Sequence, residues 1–133
     1  MDNKPKDVSD AELAVLQVLW ERGEATIRQL TDELYPPGDE AQYATVQKLL
    51  ERLQGKGHVT RDRSGHAHVF RPLTDRDTLL GQRLRTVAEK LCGGMMAPLL
   101  THLVRAEALS REERQELRAL IDELDRKNGN RKK

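Results

Sequence analysis

The 133 residues, 37% hydrophobic, 34% charged and 3% aromatic, suffice for one ordinary domain or a small domain with an assembly segment, and exclude a large enzyme core. No apolar run approaches the roughly 18 to 20 residues of a membrane span, the first seven residues lack the apolar segment of a secretory signal, and Cys92 is alone; a soluble, cytoplasmic chain without an intrachain disulfide is expected. The net charge of +1 hides a segregation: residues 1–40 carry −6, residues 41–73 carry +4 and the remainder +3, so a positive field that attracts phosphate is local to the middle of the chain.

The first helix is marked by Ser9-Asp10-Ala11-Glu12, a capping box in which hydroxyl and carboxylate satisfy each other's backbone donors, with Val8 and Leu13 as its hydrophobic staple. Leu13, Leu16, Leu19 and Trp20 recur at helical spacing, and Gly23 is placed to end the helix. A second capping box, Thr26 to Gln29, opens a helix carrying Ile27, Leu30 and Leu34, which must stop before Pro36-Pro37.

A third helix is expected from about Ala41. At 100° per residue Val46, Leu49, Leu50 and Leu53 form a packing stripe, while Ala44, Gln47, Lys48, Glu51 and Arg52 lie opposite. Gln42, Tyr43 and Thr45 stand at the N-terminal end, which in a recognition helix reaches base edges. Gln pairs with adenine, Thr touches a thymine methyl, and Lys48 and Arg52 meet phosphate or guanine. After Gly57 the periodicity becomes extended: His58 to Arg63, a Ser64-Gly65 turn, and His66 to Arg71 returning. Val59 and Phe70 face the helices, the tip carries Arg63 and His66 towards the DNA backbone or minor groove, and Arg61 is counted with the DNA-binding residues. Helix, glycine stop and charged hairpin in this order predict a winged helix-turn-helix over residues 1–73 that binds double-stranded DNA.

In residues 74–126 three further helices are expected. Leu80, Leu84, Val87, Ala88 and Leu91 mark the first, Met95, Met96, Leu99, Leu100, Leu103 and Val104 the second, and Leu117, Leu120, Ile121 and Leu124 the third, which opens on a capping box from Ser110 to Glu113. About 50 residues cannot bury these stripes alone, so the region is read as a dimerisation domain, with Leu84, Val87, Leu91, Met96, Leu99, Leu100, Leu103, Leu117, Leu120, Ile121 and Leu124 at the seam. Residues 127–133 read as a basic disordered tail. The fold class is thus mainly α with a small β-hairpin wing.

No glycine-rich phosphate loop, metal-protease helix or nucleophile elbow is present, so an enzyme is not expected, nor a cofactor. His66-x-His68 would put two imidazoles on one strand face, with His58 and Cys92 as further ligands, but four ligands at metal spacing are not evident and no metal is assigned. An effector- or metal-responsive regulator and a winged-helix protein-interaction module stay as alternatives.

Taken together, Val8 to Leu13 with Val15 to Trp20, Thr45 to Leu53 with Lys56-Gly57, Phe70-Arg71-Pro72, Cys92-Gly93-Gly94 and Leu109 to Leu117 resemble the penicillinase-repressor family of bacterial transcriptional regulators (BlaI/MecI type) over nearly the whole chain. The resemblance implies a homodimeric repressor on an inverted-repeat site, released through a membrane-bound sensor protease pathway by cleavage in the dimerisation helices. The matching segment is Leu100 to Arg105, where His102-Leu103 stands in place of the Asn-Phe of β-lactam-responsive members.

Overall fold

A computed structural model describes residues 7–131, within which the chain divides into two compact units at Leu84 and Arg85. The first contains α1 (Asp10–Arg22), β1 (Ala25–Thr26), α2 (Ile27–Leu34), α3 (Glu40–Gly55), β2 (Val59–Asp62) and β3 (Val69–Pro72). From Arg76 to Leu91 runs α4, which begins in the first unit and ends in the second; α5 (Ala97–Arg105) and α6 (Arg111–Arg131) follow. This is a mainly α chain with a winged helix-turn-helix at its N-terminal end, as its patterning predicts.

Local capping signals translate directly into helix starts. Ser9 Oγ accepts from Glu12 N at 3.2 Å while Ser9 N donates to Glu12 Oε1 at 2.8 Å, and the same reciprocal pair forms between Thr26 and Gln29 and between Ser110 and Glu113. Gly23, at φ 85°, closes α1. The third helix starts one residue earlier than Ala41, because Asp39 caps it. Asp39 Oδ1 accepts from Gln42 N at 2.9 Å, and Gln42 Oε1 accepts from Asp39 N at 3.1 Å.

The core of the first unit is formed by Val15, Leu16, Leu19, Leu30 and the α3 stripe of Val46, Leu49, Leu50 and Leu53, closed by Val59 and Phe70 from the sheet. Three antiparallel strands lie in the order β1-β3-β2. The two-residue β1 is not legible in the sequence; Thr26 both pairs with Val69 and caps α2.

The hairpin register also differs from expectation. A tight turn at Ser64-Gly65 would set Arg61 opposite His68, whereas Arg61 pairs with Phe70 and Asp62 with Val69, leaving residues 63–68 as a loop. Ser64 N donates to Asp62 Oδ1 at 2.9 Å, so the carboxylate ends the ladder early. The slip is two residues, and because side chains alternate with period two, Val59 and Phe70 keep the inward face expected of them. His66 and His68 consequently lie in the loop and not together on a strand.

Where β3 leaves the sheet, its continuation is tied to the helical layer. Leu73 N and Thr74 N donate to His58 O, Trp20 Nε1 donates to Thr74 O at 2.8 Å, and His58 Nδ1 and Thr74 Oγ1 are 2.8 Å apart. His58 is buried, and the Arg76 guanidinium stacks 5.2 Å from the Trp20 ring centroid. Asp75 then caps α4 by accepting from Thr78 N at 2.7 Å, and these bonds hold its carboxyl below the ordinary aspartate value.

In the second unit Gly93 and Gly94 both take positive φ, and Gly94 N donates to Ala88 O, which ends α4. No residue of α5 is buried. Along α6 the helix runs to Arg131, through most of the stretch expected to be a disordered tail; Lys132 and Lys133 lie outside the described residues.

Candidate nucleic-acid interface

The exposed side of α3 is the one its periodicity predicts. Ala44, Thr45, Lys48, Glu51 and Arg52 are exposed, while Tyr43 and Gln47 are half-buried at its margin. Thr45 Oγ1 donates back to Ala41 O at 3.0 Å. Gln42 is the residue whose placement changes its reading, since its side-chain carbonyl accepts from both Gly38 N and Asp39 N, each at 3.1 Å. That carbonyl is committed to the helix start, and the bidentate adenine pairing of a glutamine needs it free.

The six cations of residues 41–73 do not act alike. Lys56 Nζ lies 2.7 Å from Glu12 Oε1 and 2.9 Å from Asp7 O, linking the end of α3 to the start of α1. Arg71 is held on the outer sheet face by Glu24 at 2.9 Å and Asp62 at 3.3 Å, and Glu24 first, then Asp62, raise its pKa above the ordinary value. Asp62 is lowered by its Ser64 bonds and, after them, by Arg71. Lys48, Arg52, Arg61 and Arg63 have no ion-pair partner among the described residues. Two of the six charges are therefore neutralised within the fold, and four remain to meet an external anion.

Arg63 and His66 project from the exposed wing loop as expected. Arg61 does not: opposite Phe70 it shares the inner face of the sheet, is half-buried, and stacks 5.1 Å from the Phe70 ring centroid. Arg28 is a cation that sequence reasoning missed. Its Nη1 bonds Gly38 O at 2.8 Å and Asp32 Oδ1 at 3.1 Å, and its guanidinium covers the Tyr43 ring at 4.9 Å, so α2 delivers it to the N-terminal end of α3. An Arg on α2 carries no signal in the helical pattern, because its neighbour is set by the α2–α3 turn.

Glu12 is buried although charged. Burial pushes its carboxyl upward, but bonds from Lys56 and Ser9 together with the Lys56 charge outweigh this and hold it below the ordinary value. A group with a depressed folded pKa stabilises above its unfolded pKa, and that contribution is lost as pH falls through the folded value. Replacement of Lys56 by Met should leave Glu12 buried without its cation, cost about 1–3 kcal/mol at neutral pH, and make the stability less sensitive to acid. Urea titrations of both proteins at pH 7 and pH 4 measure this; equal pH sensitivity would show that the pair does not control it.

Among the described residues no group of three or more His, Cys, Asp or Glu side chains converges as a metal site. Nor is any described helix long and apolar enough to cross a membrane.

The pattern of the family described as Penicillinase repressor matches residues 8–123. "Transcriptional regulator BlaI" of Mycobacterium tuberculosis is 35% identical over 126 residues, covering 93% of this chain and 89% of that protein. "Penicillinase repressor" of Staphylococcus aureus is 25% identical over 127 residues, 96% of this chain and 100% of that protein. The solution structure of the DNA-binding domain of the repressor BlaI is 29% identical, with a TM-score of 0.48 over 59% of this chain and 93% of that one. With a match spanning nearly all of its length, and a winged helix at its N-terminal end, this chain belongs to the penicillinase repressor family of transcriptional regulators.

Proposed function

We propose that this chain is a sequence-specific transcriptional repressor that binds an inverted-repeat operator as a homodimer, with α3 in the major groove and the loop of residues 63–68 on the backbone. The observation that carries the reading is the contrast between Lys56 and Arg71, neutralised inside the fold, and Lys48, Arg52 and Arg63, which are exposed and unpaired among the described residues. A sugar-phosphate backbone is the polyanion such a surface fits.

Dimerisation is supported by the residues assigned to the seam. Nine of the eleven are exposed in the single chain, and Leu99 and Leu117 are half-buried. A second copy covers such a face, and its two-fold axis sets the two recognition helices about 34 Å apart on a palindromic site. Release by cleavage belongs to the same reading. His102 and Leu103 are exposed within α5, so a protease would need this helix to open locally. Intact-mass measurement during induction tests that step, and DNA release without a fragment would remove it.

The reading as a whole is tested by selecting genomic fragments with the purified protein and titrating the winners at two salt concentrations. An enriched inverted repeat bound by two chains is the expected result; no enrichment by a folded dimer would overturn operator recognition. Within that assay Lys48→Ala should weaken all sequences and reduce the salt slope by about one, whereas Thr45→Ala should change base preference at about 1–3 kcal/mol per lost base contact. Unchanged binding by both variants would misplace the DNA face.

A further inference from the structure

We propose that the cavity between the start of α2, α3 and the wing loop is a phosphate clamp that receives one backbone phosphate of the bound duplex. It rests on the DNA-binding reading and assigns to it a seat that α3 and the wing tip do not supply. The cavity measures about 400 Å³ and is walled by Arg28, Tyr43, Gln47, Arg61, His66 and His68, with Thr26, Ile27 and Ala67 completing it. In a chain with 22 acidic residues, none lies in this wall.

Arg61 is the strongest pointer. It is half-buried, has no carboxylate partner among the described residues, and its Nε is shut from solvent without an acceptor. A buried donor without an acceptor is costly, and a cation placed so is compensated when an anion arrives. The helix contributes a second positive element. Thr26, Ile27 and Arg28 at the start of α2 line the wall as well, so the positive end of that helix lies beside the cavity. Arg28 also reaches the wall, fixed by Gly38 O and by Tyr43 beneath it, but its charge is shared with Asp32 at 3.1 Å, which leaves Arg61 as the cation of the wall without a carboxylate among the described residues.

The occupant follows from position. The cavity opens beside Tyr43 and Gln47 on the margin of the exposed α3 face, where a helix laid in a major groove brings a phosphate of the flanking strand against the N-terminal end of the preceding helix. Arg61 and Arg28 then position the duplex and carry no base preference.

The test uses the full-length protein and the duplex recovered by fragment selection, with each phosphate replaced in turn by a neutral methylphosphonate. One position per half-site is expected to weaken the wild-type protein roughly tenfold. Arg61→Gln should weaken the unmodified duplex by a similar factor, lower the salt slope by about 0.9 for the lost contact, and be indifferent to that one methylphosphonate. Arg61→Lys, which keeps the charge, should regain part of the response, separating contact from fold. Full sensitivity of Arg61→Gln at every position would overturn the clamp even while the same repeat is still selected. Free phosphate that displaced DNA equally from the wild type and from Arg61→Gln at constant ionic strength would overturn it too, because the competition would then lie outside this pocket. Failure of the wild-type protein to enrich any repeat would bring down the DNA reading itself.

Discussion

Phe70→Ala is expected to destabilise the first unit by about 3–5 kcal/mol, a large part of the roughly 5–15 kcal/mol available to a small domain. Phe70 is 1% exposed and lies on the central strand, facing Ala25 on one side and Arg61 on the other. Neither neighbour can refill the space: Ala25 is too small, and Arg61 cannot enter an apolar cavity without carrying its charge with it. Urea unfolding followed by the fluorescence of Trp20, the single tryptophan, gives the number. DNA affinity should fall with stability and also because Arg61 loses the ring it stacks on. A loss below about 1 kcal/mol would mean that the sheet is not a wall of the core.

If the chain dimerises as proposed, Leu120→Glu combined with Leu124→Glu is expected to give a monomer and to lower affinity for a palindromic duplex by about 100-fold or more. These residues stand one helical turn apart on α6, 60% and 56% exposed, and neither lines the small apolar groove that Leu100, Val104, Leu117 and Ile121 form between α5 and α6. The substitutions therefore leave that groove intact. By two-fold symmetry each carboxylate enters the seam twice without a partner, and a monomer loses the effective concentration that tethers the second half-site. Light scattering reads the mass, circular dichroism the helix, and titration the affinity. A dimer that persists would place the seam elsewhere on α4, α5 and α6.

Features that depend on residues three or four apart are legible in the order of residues alone. The capping boxes of α1, α2 and α6 and the α3 stripe fall where spacing puts them, since hydroxyl, carboxylate and amide partners lie within one turn. The Asp39–Gln42 box obeys the same rule as Asp-x-x-Gln, and it is this box, not a base contact, that Gln42 serves through its side-chain carbonyl. Short-range chemistry also anticipates that Val59 and Phe70 face inward, because a hairpin slip of two residues preserves parity.

The helices, their apolar faces, the charge segregation of residues 41–73 and the membership that these patterns resemble are properties of local order along the chain, where each residue's neighbours are known. Which cations stay available is not such a property. Lys56 meets Glu12 across 44 positions, Arg71 meets Glu24 across 47, and Arg61 is turned inward by its register against Phe70. From composition these three and Lys48 are the same positive charge. Packing gives Lys56 and Arg71 carboxylate partners and leaves Lys48 exposed and Arg61 half-buried without one among the described residues, and because charge interactions depend on distance and desolvation and not on separation along the chain, the fold alone separates the cations that hold the domain together from those free for the proposed DNA contact.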